Sequence, residues 1–532
     1  MTRLDDRLAA LRAAGRAGQA RGQGLGAIAL RRTAEAPERV VVIDGDRVVT
    51  RGEMLDMALR LGGALRERGL QPGAAIAFQL PNWWEACVIN LAAALFGYRL
   101  APLMPIYRSA ELGMILPACE VQSIFVPERF GTTDYPSLVA GLAERPAHVF
   151  TVRGAPSDDD FKALVSGAPA DPKLPEEDDI KIVFFTSGST GHPKGVLHSH
   201  AGVDTMIRTT ASFWGVGDAD TLYVPSPIGH IGGSIYAFEF PWITGCRAVL
   251  AERWDAAQAV RDIDLHNASL MAGATPFLVN LIAAAEAAGT SLPSLRRYIC
   301  GGANVSPELV RRGLAAFPNA VVSRAYGSSE VPLVCPGIST REEAMQRADT
   351  DGECTADLKL IGMDGSDVSE GTDGEIAVRA SRMFLGYLDA CDEQGAFTPD
   401  GYFRMGDLGR LIGGRFLEIT GRIKDIIIRK GENISPLEIE NALARHPAVR
   451  QVAVVGIPDT ERGEMVVAFV VPAARKSFEF AAMTAHLTAL GLARQKFPER
   501  LEIAEALPLT AIGKVQKAEL RQLAMARAGE TA

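Results

Sequence analysis

The sequence predicts an α/β protein with three parts: a large N-terminal domain of two helix-covered, mainly parallel sheets plus a β-rich subdomain, followed by a small mobile α+β C-terminal domain. The first observation behind this is that short apolar runs alternate with amphipathic stretches. Residues 75–80 precede 83–96, and residues 182–185 precede 200–212. Such alternation is typical of parallel sheets covered by helices on both faces. Because ligands bind these sheets beyond the carboxyl ends of the strands, the loops at those ends are candidate binding segments.

The second observation is a change of pattern in the last third of the chain. Shorter strands and glycine-containing turns appear there, as in residues 374–379 and 413–418. They indicate a β-rich subdomain. A compact α+β unit follows Gly421. We therefore predict an N-terminal domain over residues 1–421 and a C-terminal domain over residues 422–532.

Composition excludes several classes of function. The 532 residues are 47% hydrophobic and 22% charged, the composition of an ordinary globular protein. The net charge of -9 provides no basic surface for a nucleic-acid backbone, so no nucleic-acid partner is predicted. The seven cysteines lack any C-x-x-C spacing, which argues against a disulfide framework and a thiolate zinc site and favours a reducing cytoplasm. We expect a monomer or a homodimer.

Two segments imitate targeting or membrane signals. The start of the chain is rich in arginine, with Arg3, Arg7, Arg12, Arg16 and Arg21. Asp5 and Asp6 stand among them, which is unlike a transit peptide, so we interpret the segment as a helix with a loose tail. The most apolar stretch, residues 86–107, is interrupted by Arg99 and two prolines before it could cross a bilayer, which takes ~20 residues. No membrane span is predicted.

The strongest local signal is a loop rich in glycine and hydroxyl residues that follows a buried strand and precedes a helix. Backbone N–H groups and hydroxyls in such a position can surround phosphate oxygens. The loop is not a Walker A motif, because Pro193 and Gly195 flank its lysine. The alternative is a flexible turn. The residues that we expect to bind phosphate groups are Thr186, Ser187, Gly188, Ser189, Thr190, Gly191 and Lys194.

This loop resembles the phosphate-binding loop of the adenylate-forming superfamily, which contains acyl-CoA synthetases, peptide-synthetase adenylation domains and luciferases. The resemblance extends over nearly the whole chain. Residues 301–303 are similar to the adenine-side loop of that family, and residues 326–330 to its Tyr-Gly-x-Thr-Glu motif, with Ser329 in place of the threonine. The resemblance implies that Glu330 is catalytic and approaches Mg²⁺, which prefers oxygen ligands. It adds five nucleotide-binding residues, namely Gly302, Ala303, Tyr326, Gly327 and Ser329.

Further motifs in the last quarter of the chain fit the same family. Asp407 matches the carboxylate that accepts the ribose hydroxyls, and Arg422 matches the arginine that reaches the ribose. Lys424 stands at the position of the hinge between the two domains. Lys430 and Gly431 match the strand and loop that line the CoA tunnel. The catalytic lysine of the family corresponds to Lys514.

The acyl pocket is predicted around residues 228–236. His230 lies where the family places an aromatic residue or a histidine beside the acyl carboxylate, which implies a catalytic role. A histidine whose bonds are satisfied in the core is the alternative. Ile231 and Ile235 suggest an apolar acid, because an amino acid would need a carboxylate facing its ammonium group and the stretch contains none.

Two other histidines, His198 and His200, have the spacing of metal ligands. No cysteine, histidine or carboxylate follows them at ligand spacing. We expect them to support the phosphate loop or to lie on the surface.

The family resemblance implies an ATP-dependent, AMP-forming acid–CoA ligase. A carboxylic acid and ATP would give acyl-AMP and pyrophosphate, and acyl-AMP and CoA would then give acyl-CoA and AMP, with Mg²⁺ as the cofactor. An alicyclic, aryl or medium-chain acid is expected. The alternatives are an enzyme that loads a carrier protein and a catalytically silent nucleotide-binding regulator. The motifs alone do not separate the chain from luciferase-like oxygenases.

Overall fold

The structure is a computed structural model that describes residues 2–187, 192–302, 305–362, 365–474, 476–509 and 514–529. Its α-helices are α1 (Arg3–Ala13), α2 (Leu25–Glu35), α3 (Arg51–Glu67), α4 (Trp84–Phe96), α5 (Ser109–Ala118), α6 (Tyr135–Ala140), α7 (Phe161–Leu164), α8 (His200–Trp214), α9 (Ile231–Phe238), α10 (Phe240–Thr244), α11 (Ala256–His266), α12 (Thr275–Ala288), α13 (Pro307–Ala316), α14 (Arg341–Gln346), α15 (Pro436–Leu443), α16 (Phe480–Ala489) and α17 (Lys517–Gly529). Short 3₁₀ helices lie at Ala390–Glu393, Ile423–Asp425 and Arg494–Lys496.

The strands fall into two large sheets and three smaller ones. They are β1 (Val40–Asp44), β2 (Arg47–Thr50), β3 (Ala75–Phe78), β4 (Arg99–Pro102), β5 (Val121–Pro127), β6 (Arg129–Phe130), β7 (Thr133–Asp134), β8 (His148–Val152), β9 (Ile180–Ser187), β10 (Pro193–Ser199), β11 (Thr221–Val224), β12 (Arg247–Leu250), β13 (Leu270–Gly273), β14 (Arg297–Cys300), β15 (Val321–Arg324), β16 (Asp357–Ile361), β17 (Gly374–Arg379), β18 (Gly386–Tyr387), β19 (Phe403–Ile412), β20 (Phe416–Arg422), β21 (Ile427–Arg429), β22 (Glu432–Ile434), β23 (Val449–Asp459), β24 (Gly463–Pro472) and β25 (Arg500–Ile503).

The two large sheets are mainly parallel, as predicted. The first has the order β15-β14-β13-β11-β12-β1-β2, and only its edge pair β1–β2 is antiparallel. The second has the order β18-β10-β9-β4-β3-β5-β8, in which β10 is antiparallel to both of its neighbours. The predicted fold class is confirmed.

Helix α4 packs between these two sheets. After Glu85 it contains no charged residue, and nearly every side chain along it is buried. A helix that is apolar all round is stable only inside a core. Its leucines and alanines share one hydrophobic cluster with Phe78 and Phe184 of the second sheet and with Leu222 and Leu250 of the first. The sheets are therefore held together through this helix.

The last part of the chain carries two smaller sheets. Strands β16-β17-β19-β20 form an antiparallel sheet, and β22-β21-β24-β23 form another, to which β25 adds in parallel. The predicted domain boundary after residue 421 falls one residue before the end of β20 and remains a prediction. The Ser435 hydroxyl, which precedes α15, donates to the Thr420 carbonyl at 2.5 Å and so joins the two sheets. Among the described residues, no helix is long and apolar enough to cross a membrane.

Candidate active site

The predicted phosphate loop connects two antiparallel strands. Thr186 of β9 lies opposite Lys194 of β10, and α8 begins only after β10 has crossed the sheet. The predicted strand before the loop and the predicted helix at residues 200–212 are both present, but strand β10, in which residues 193–199 pair with β9, was not predicted. Ser187 ends β9, while residues 188–191 lie outside the described part of the chain. Ala303, in the predicted adenine-side loop, also lies outside it.

The lysine of this hairpin is held by one acidic and one aromatic residue. The Lys194 ammonium lies 3.1 Å from an Asp392 carboxylate oxygen and 5.2 Å from the centre of the Tyr387 ring. Tyr387 ends β18, and Asp392 lies in the short 3₁₀ helix that follows it. The positive charge is thus held beside the hairpin, where it can attract a phosphate.

Glu330 is oriented by a hydroxyl group that the sequence did not reveal. The Tyr387 hydroxyl donates to Glu330 Oε1 at 2.7 Å. The loop before Glu330 turns tightly at Gly327, where an added Cβ would meet the Leu333 nitrogen at 2.5 Å. A carboxylate fixed in this way, together with phosphate oxygens, is the donor set that Mg²⁺ prefers, so Glu330 fits the predicted metal role.

His198 supports the same loop from the second sheet. Its Nε2 lies 2.7 Å from the carbonyl oxygen of the buried Ser329. Burial lowers the pKa of His198 to about 4, so the ring is neutral near pH 7 and Nε2 carries the proton that it donates. The bond is made to the loop that carries Glu330 and not to the predicted phosphate loop, and the expectation of a surface position is wrong because His198 and His200 are both buried. His200 is buried at the start of α8, and burial lowers its pKa to about 3.

Asp407 joins two other predicted nucleotide residues. The Tyr326 hydroxyl donates to its Oδ2 and the Arg422 Nε donates to its Oδ1, both at 2.8 Å. Burial and the Asp407 charge raise the pKa of Tyr326, so its hydroxyl stays a donor. Asp407 and Arg422 are paired residues of β19 and β20, which explains their alignment. Each carboxylate oxygen keeps a lone pair with which to accept a ribose hydroxyl.

Lys514 reaches this group of residues from the far end of the chain. Burial, and after it the charge of Arg422, lowers the pKa of Lys514, whereas Asp407 and Glu330 act in the opposite direction. The Lys514 ammonium therefore interacts electrostatically with both carboxylates. The structure therefore brings together Glu330, Asp407, Arg422 and Lys514, which are spread over 185 positions of sequence.

His230 begins helix α9 as its N-cap residue. Its Nδ1 accepts the Gly232 N–H at 3.0 Å. Burial, and then the charge of Lys514, lowers its pKa to about 4, so the ring is neutral near pH 7. Since Nδ1 accepts, the proton lies on Nε2, which can donate to an acid. Ile231 and Ile235 are 7% and 4% exposed and pack into the main core.

Asn82 is a second residue that the motifs did not reveal. Its amide nitrogen donates to the carbonyls of Val224 and Ser226 at 3.2 and 2.9 Å. Its oxygen accepts the Ile228 N–H at 2.9 Å. These three bonds fix the path of the loop that leads from β11 to His230. The run Pro-Asn-Trp-Trp at residues 81–84 carries no motif that indicates this role.

The residues predicted for the hinge and for CoA binding lie in the C-terminal sheet that contains β21 and β22, or just before it. Lys424 is exposed in the 3₁₀ helix between β20 and β21, and its charge acts on Lys514. Lys430 and Gly431 form the exposed turn between β21 and β22, with φ of 51° and 83°. Gly302 likewise has a positive φ of 84°, immediately after β14.

Comparison with known proteins assigns the family. Residues 30–388 match the AMP-binding enzyme family model, and residues 438–514 match the model of the AMP-binding enzyme C-terminal domain. Fold and site together thus define an adenylate-forming enzyme, and the chain belongs to the AMP-binding enzyme family. The predicted superfamily and enzyme class, an AMP-forming acid–CoA ligase, are confirmed.

Relatives match along almost their full lengths. A salicylyl-CoA synthase/salicylate adenylyltransferase of Streptomyces sp is 32% identical, over 96% of this chain and 96% of the relative. A medium-chain fatty-acid–CoA ligase of Escherichia coli (strain K12) is 30% identical, over 92% of this chain and 88% of the relative. Among solved structures, ATP-bound MatB from Rhodopseudomonas palustris superposes with a TM-score of 0.84 at 25% identity, covering 94% of this chain and 99% of MatB.

Proposed function

We propose that this protein joins an apolar carboxylic acid to CoA through an acyl-adenylate, with the residues of the described site in the roles predicted from the sequence. The observation that carries the proposal is that hydrogen bonds hold Asp407 between Tyr326 and Arg422, while Lys514, from the far end of the chain, interacts electrostatically with Asp407 and Glu330. The reaction must neutralise charge on a nucleotide while an acid attacks it, and this site supplies fixed charges of both signs.

In the first half-reaction an acid oxygen attacks the α-phosphorus of ATP and pyrophosphate leaves. Asp407 accepts the ribose hydroxyls while Tyr326 and Arg422 hold its carboxylate in place. Lys194 and the β9–β10 hairpin bind the leaving phosphates. Glu330 would hold Mg²⁺, which when bound neutralises charge on the phosphate oxygens. Lys514 places its ammonium where negative charge develops on the α-phosphate.

His230 is proposed to bind the acid. A neutral ring with its proton on Nε2 can donate a hydrogen bond to a carboxylate without binding it as tightly as a full positive charge would. The carboxylate has to give up part of its negative charge when it becomes the mixed anhydride. A moderate hydrogen bond therefore suits the reaction better than a contact that stabilises the free carboxylate strongly. Ile231 and Ile235 follow on the same helix and face the hydrocarbon part.

In the second half-reaction the CoA thiolate attacks the acyl carbonyl and AMP leaves. We propose that the C-terminal domain turns at Lys424 between the two steps, which withdraws Lys514 from the nucleotide. Lys430 and Gly431 would then line the approach of CoA. Their turn is exposed and has positive φ, and Gly431 lets a ligand approach the backbone without a bulky side chain in the way.

The proposed substrates are alicyclic, aryl or medium-chain acids. The stretch from His230 to Tyr236 contains no carboxylate, so nothing there would pair with the ammonium of an amino acid. The relatives named for salicylate and for medium-chain fatty acids support this range.

The test is pyrophosphate release with a panel of such acids, with and without CoA. Acid-dependent release together with a CoA thioester product supports the proposal. Acyl-AMP that forms but is passed only to a phosphopantetheinyl carrier protein would favour the carrier-loading alternative. ATP binding without release for any acid would favour the silent regulator.

A further inference from the structure

The arginine-rich start of the chain is an ordered helix that packs on the face of the second sheet opposite to α4. Leu4, Leu8 and Leu11 are each 3% exposed or less. Their spacing places them on one face of α1. That face shares a hydrophobic cluster with Leu385 and Leu388, which flank β18. The helix is therefore attached to the segment that carries Tyr387.

Two of the arginines hold this segment through one carboxylate. Arg7 Nε donates to the Tyr387 carbonyl at 2.7 Å, and a second Arg7 nitrogen pairs with Glu393. Arg16 pairs with the other oxygen of Glu393 at 2.7 Å. Glu393 Oε1 also accepts the Tyr387 N–H at 3.0 Å. One carboxylate thus connects two arginines to the backbone of Tyr387.

This arrangement is shielded from solvent. The exposed fractions of the Arg7, Glu393 and Arg16 side chains are 11%, 18% and 21%. The Arg16 guanidinium also lies 4.0 Å from the centre of the Phe397 ring, which restricts its rotation. Charge-assisted bonds in such a setting have defined geometry, unlike exposed ion pairs that fluctuate.

The segment held in this way contacts two residues of the proposed phosphate and magnesium site. The Tyr387 hydroxyl donates to Glu330, and Asp392, the neighbour of Glu393, pairs with Lys194. A displacement of the segment would therefore move a carboxylate and an ammonium that the proposed chemistry needs in place.

We infer that Arg7, Arg16 and Glu393 are positioning residues that set the phosphate and magnesium end of the nucleotide site through Tyr387 and Asp392. They touch no reacting atom. The inference rests on the proposed function for the identity of the ligand. Arg7 and Arg16 precede the part of the chain that matches the family model, residues 30–388, and Glu393 follows it.

The experiment measures the Kd of Mg·ATP by titration calorimetry in three full-length single variants and in the Glu393→Gln/Tyr387→Phe double variant, with no acid present. Glu393→Gln keeps the size of the side chain and removes its charge. Tyr387→Phe removes the hydroxyl that reaches Glu330. Arg12→Ala is the matched control, because Arg12 belongs to the same helix but pairs with Glu176, Asp178 and Asp179.

Glu393→Gln and Tyr387→Phe should each raise the Kd of Mg·ATP about tenfold, the usual cost of losing an outer-shell partner. The Mg²⁺ concentration at half-maximal pyrophosphate release should rise in parallel, while the KM for the acid stays unchanged. In the double variant the Kd should rise by less than the product of the two single-variant increases, because Glu393 acts on the site through Tyr387. Arg12→Ala should change the Kd by less than about twofold.

An unchanged Mg·ATP Kd in Glu393→Gln would overturn the inference, as would equal losses in Glu393→Gln and Arg12→Ala. If the Kd in the double variant rose by the full product of the two single-variant increases, Glu393 would not act through Tyr387. A wild-type protein that binds Mg·ATP but activates no acid would instead contradict the proposed function. The calorimetric comparison would then still decide the inference.

Discussion

Replacing Lys514 by alanine should separate the two half-reactions. Lys514 is the charged group of the C-terminal domain that lies among Glu330, Asp407 and Arg422. Its partial burial means that water does not screen the ammonium fully. Removing it leaves the nucleotide-binding residues in place but takes away a positive charge from the region of the α-phosphate.

The expected loss follows from the role of a preorganised charge at a transition state. Removing one such donor typically costs about 3 kcal/mol, or ~100-fold in kcat. We expect at least this loss for acyl-AMP formation. Conversion of supplied acyl-AMP to acyl-CoA should keep most of its rate, because the proposed rotation at Lys424 withdraws Lys514 before that step.

The assay is single-turnover quench flow, with acyl-AMP and acyl-CoA separated and quantified for each half-reaction. The control is Lys496→Ala, which removes a lysine of the same C-terminal sheet region whose ammonium pairs with Glu438 at 2.7 Å on the surface. This variant should match the wild type in both steps. Equal slowing of both half-reactions in Lys514→Ala would refute the assigned role.

Further predictions concern the hinge, the acyl pocket and the buried histidines. Lys424→Pro should spare acyl-AMP formation and slow thioester formation, because proline fixes φ where the rotation occurs; single-turnover rates of each step decide this. His230→Ala should raise the KM for the acid and leave that for ATP unchanged. Ile231→Ala and Ile235→Ala should shift kcat/KM ratios between short and bulky acids by about 1–3 kcal/mol. Burial holds the pKa of folded His198 near 4, below 6.5 in the unfolded chain, so protonation favours unfolding. As pH falls from 6.5 towards 4, the free energy of unfolding should drop by up to about 3 kcal/mol from this group, and His198→Gln should remove that part of the drop in urea titrations.

The sequence allowed those features to be predicted that depend on local pattern. Asp407 and Arg422 come together because they are opposite residues of adjacent strands, and their motifs are visible along the chain. The alternation of apolar runs likewise predicted the two mainly parallel sheets. The helix expected at residues 200–212 is present as α8, but the strand that residues 193–199 form beside β9 was not predicted.

Contacts between distant segments could not be predicted in this way. Tyr387 reaches Glu330 across 57 positions, and Asn82 reaches the loop before His230 across 142 to 146 positions. The residues around Tyr387 and Asn82 form no sequence pattern that indicates these hydrogen-bond partners. The contacts depend on how the sheets pack against each other. The early arginines were predicted to form a helix with a loose tail; the helix is present as α1, but its packing partners could not be predicted for the same reason. Glu393, their common partner, becomes apparent only when α1 is placed against β18.

The most direct test of the proposed chemistry follows the oxygen atoms of the acid. A good substrate from the panel, labelled with heavy oxygen in its carboxylate, is incubated with the wild-type protein, Mg·ATP and CoA, and the nucleotide products are analysed by mass spectrometry. Attack of the carboxylate on the α-phosphorus predicts one labelled oxygen in AMP, unlabelled pyrophosphate and an acyl-CoA that keeps the other label. Label in inorganic phosphate together with ADP would show activation through an acyl-phosphate and would contradict the adenylate route.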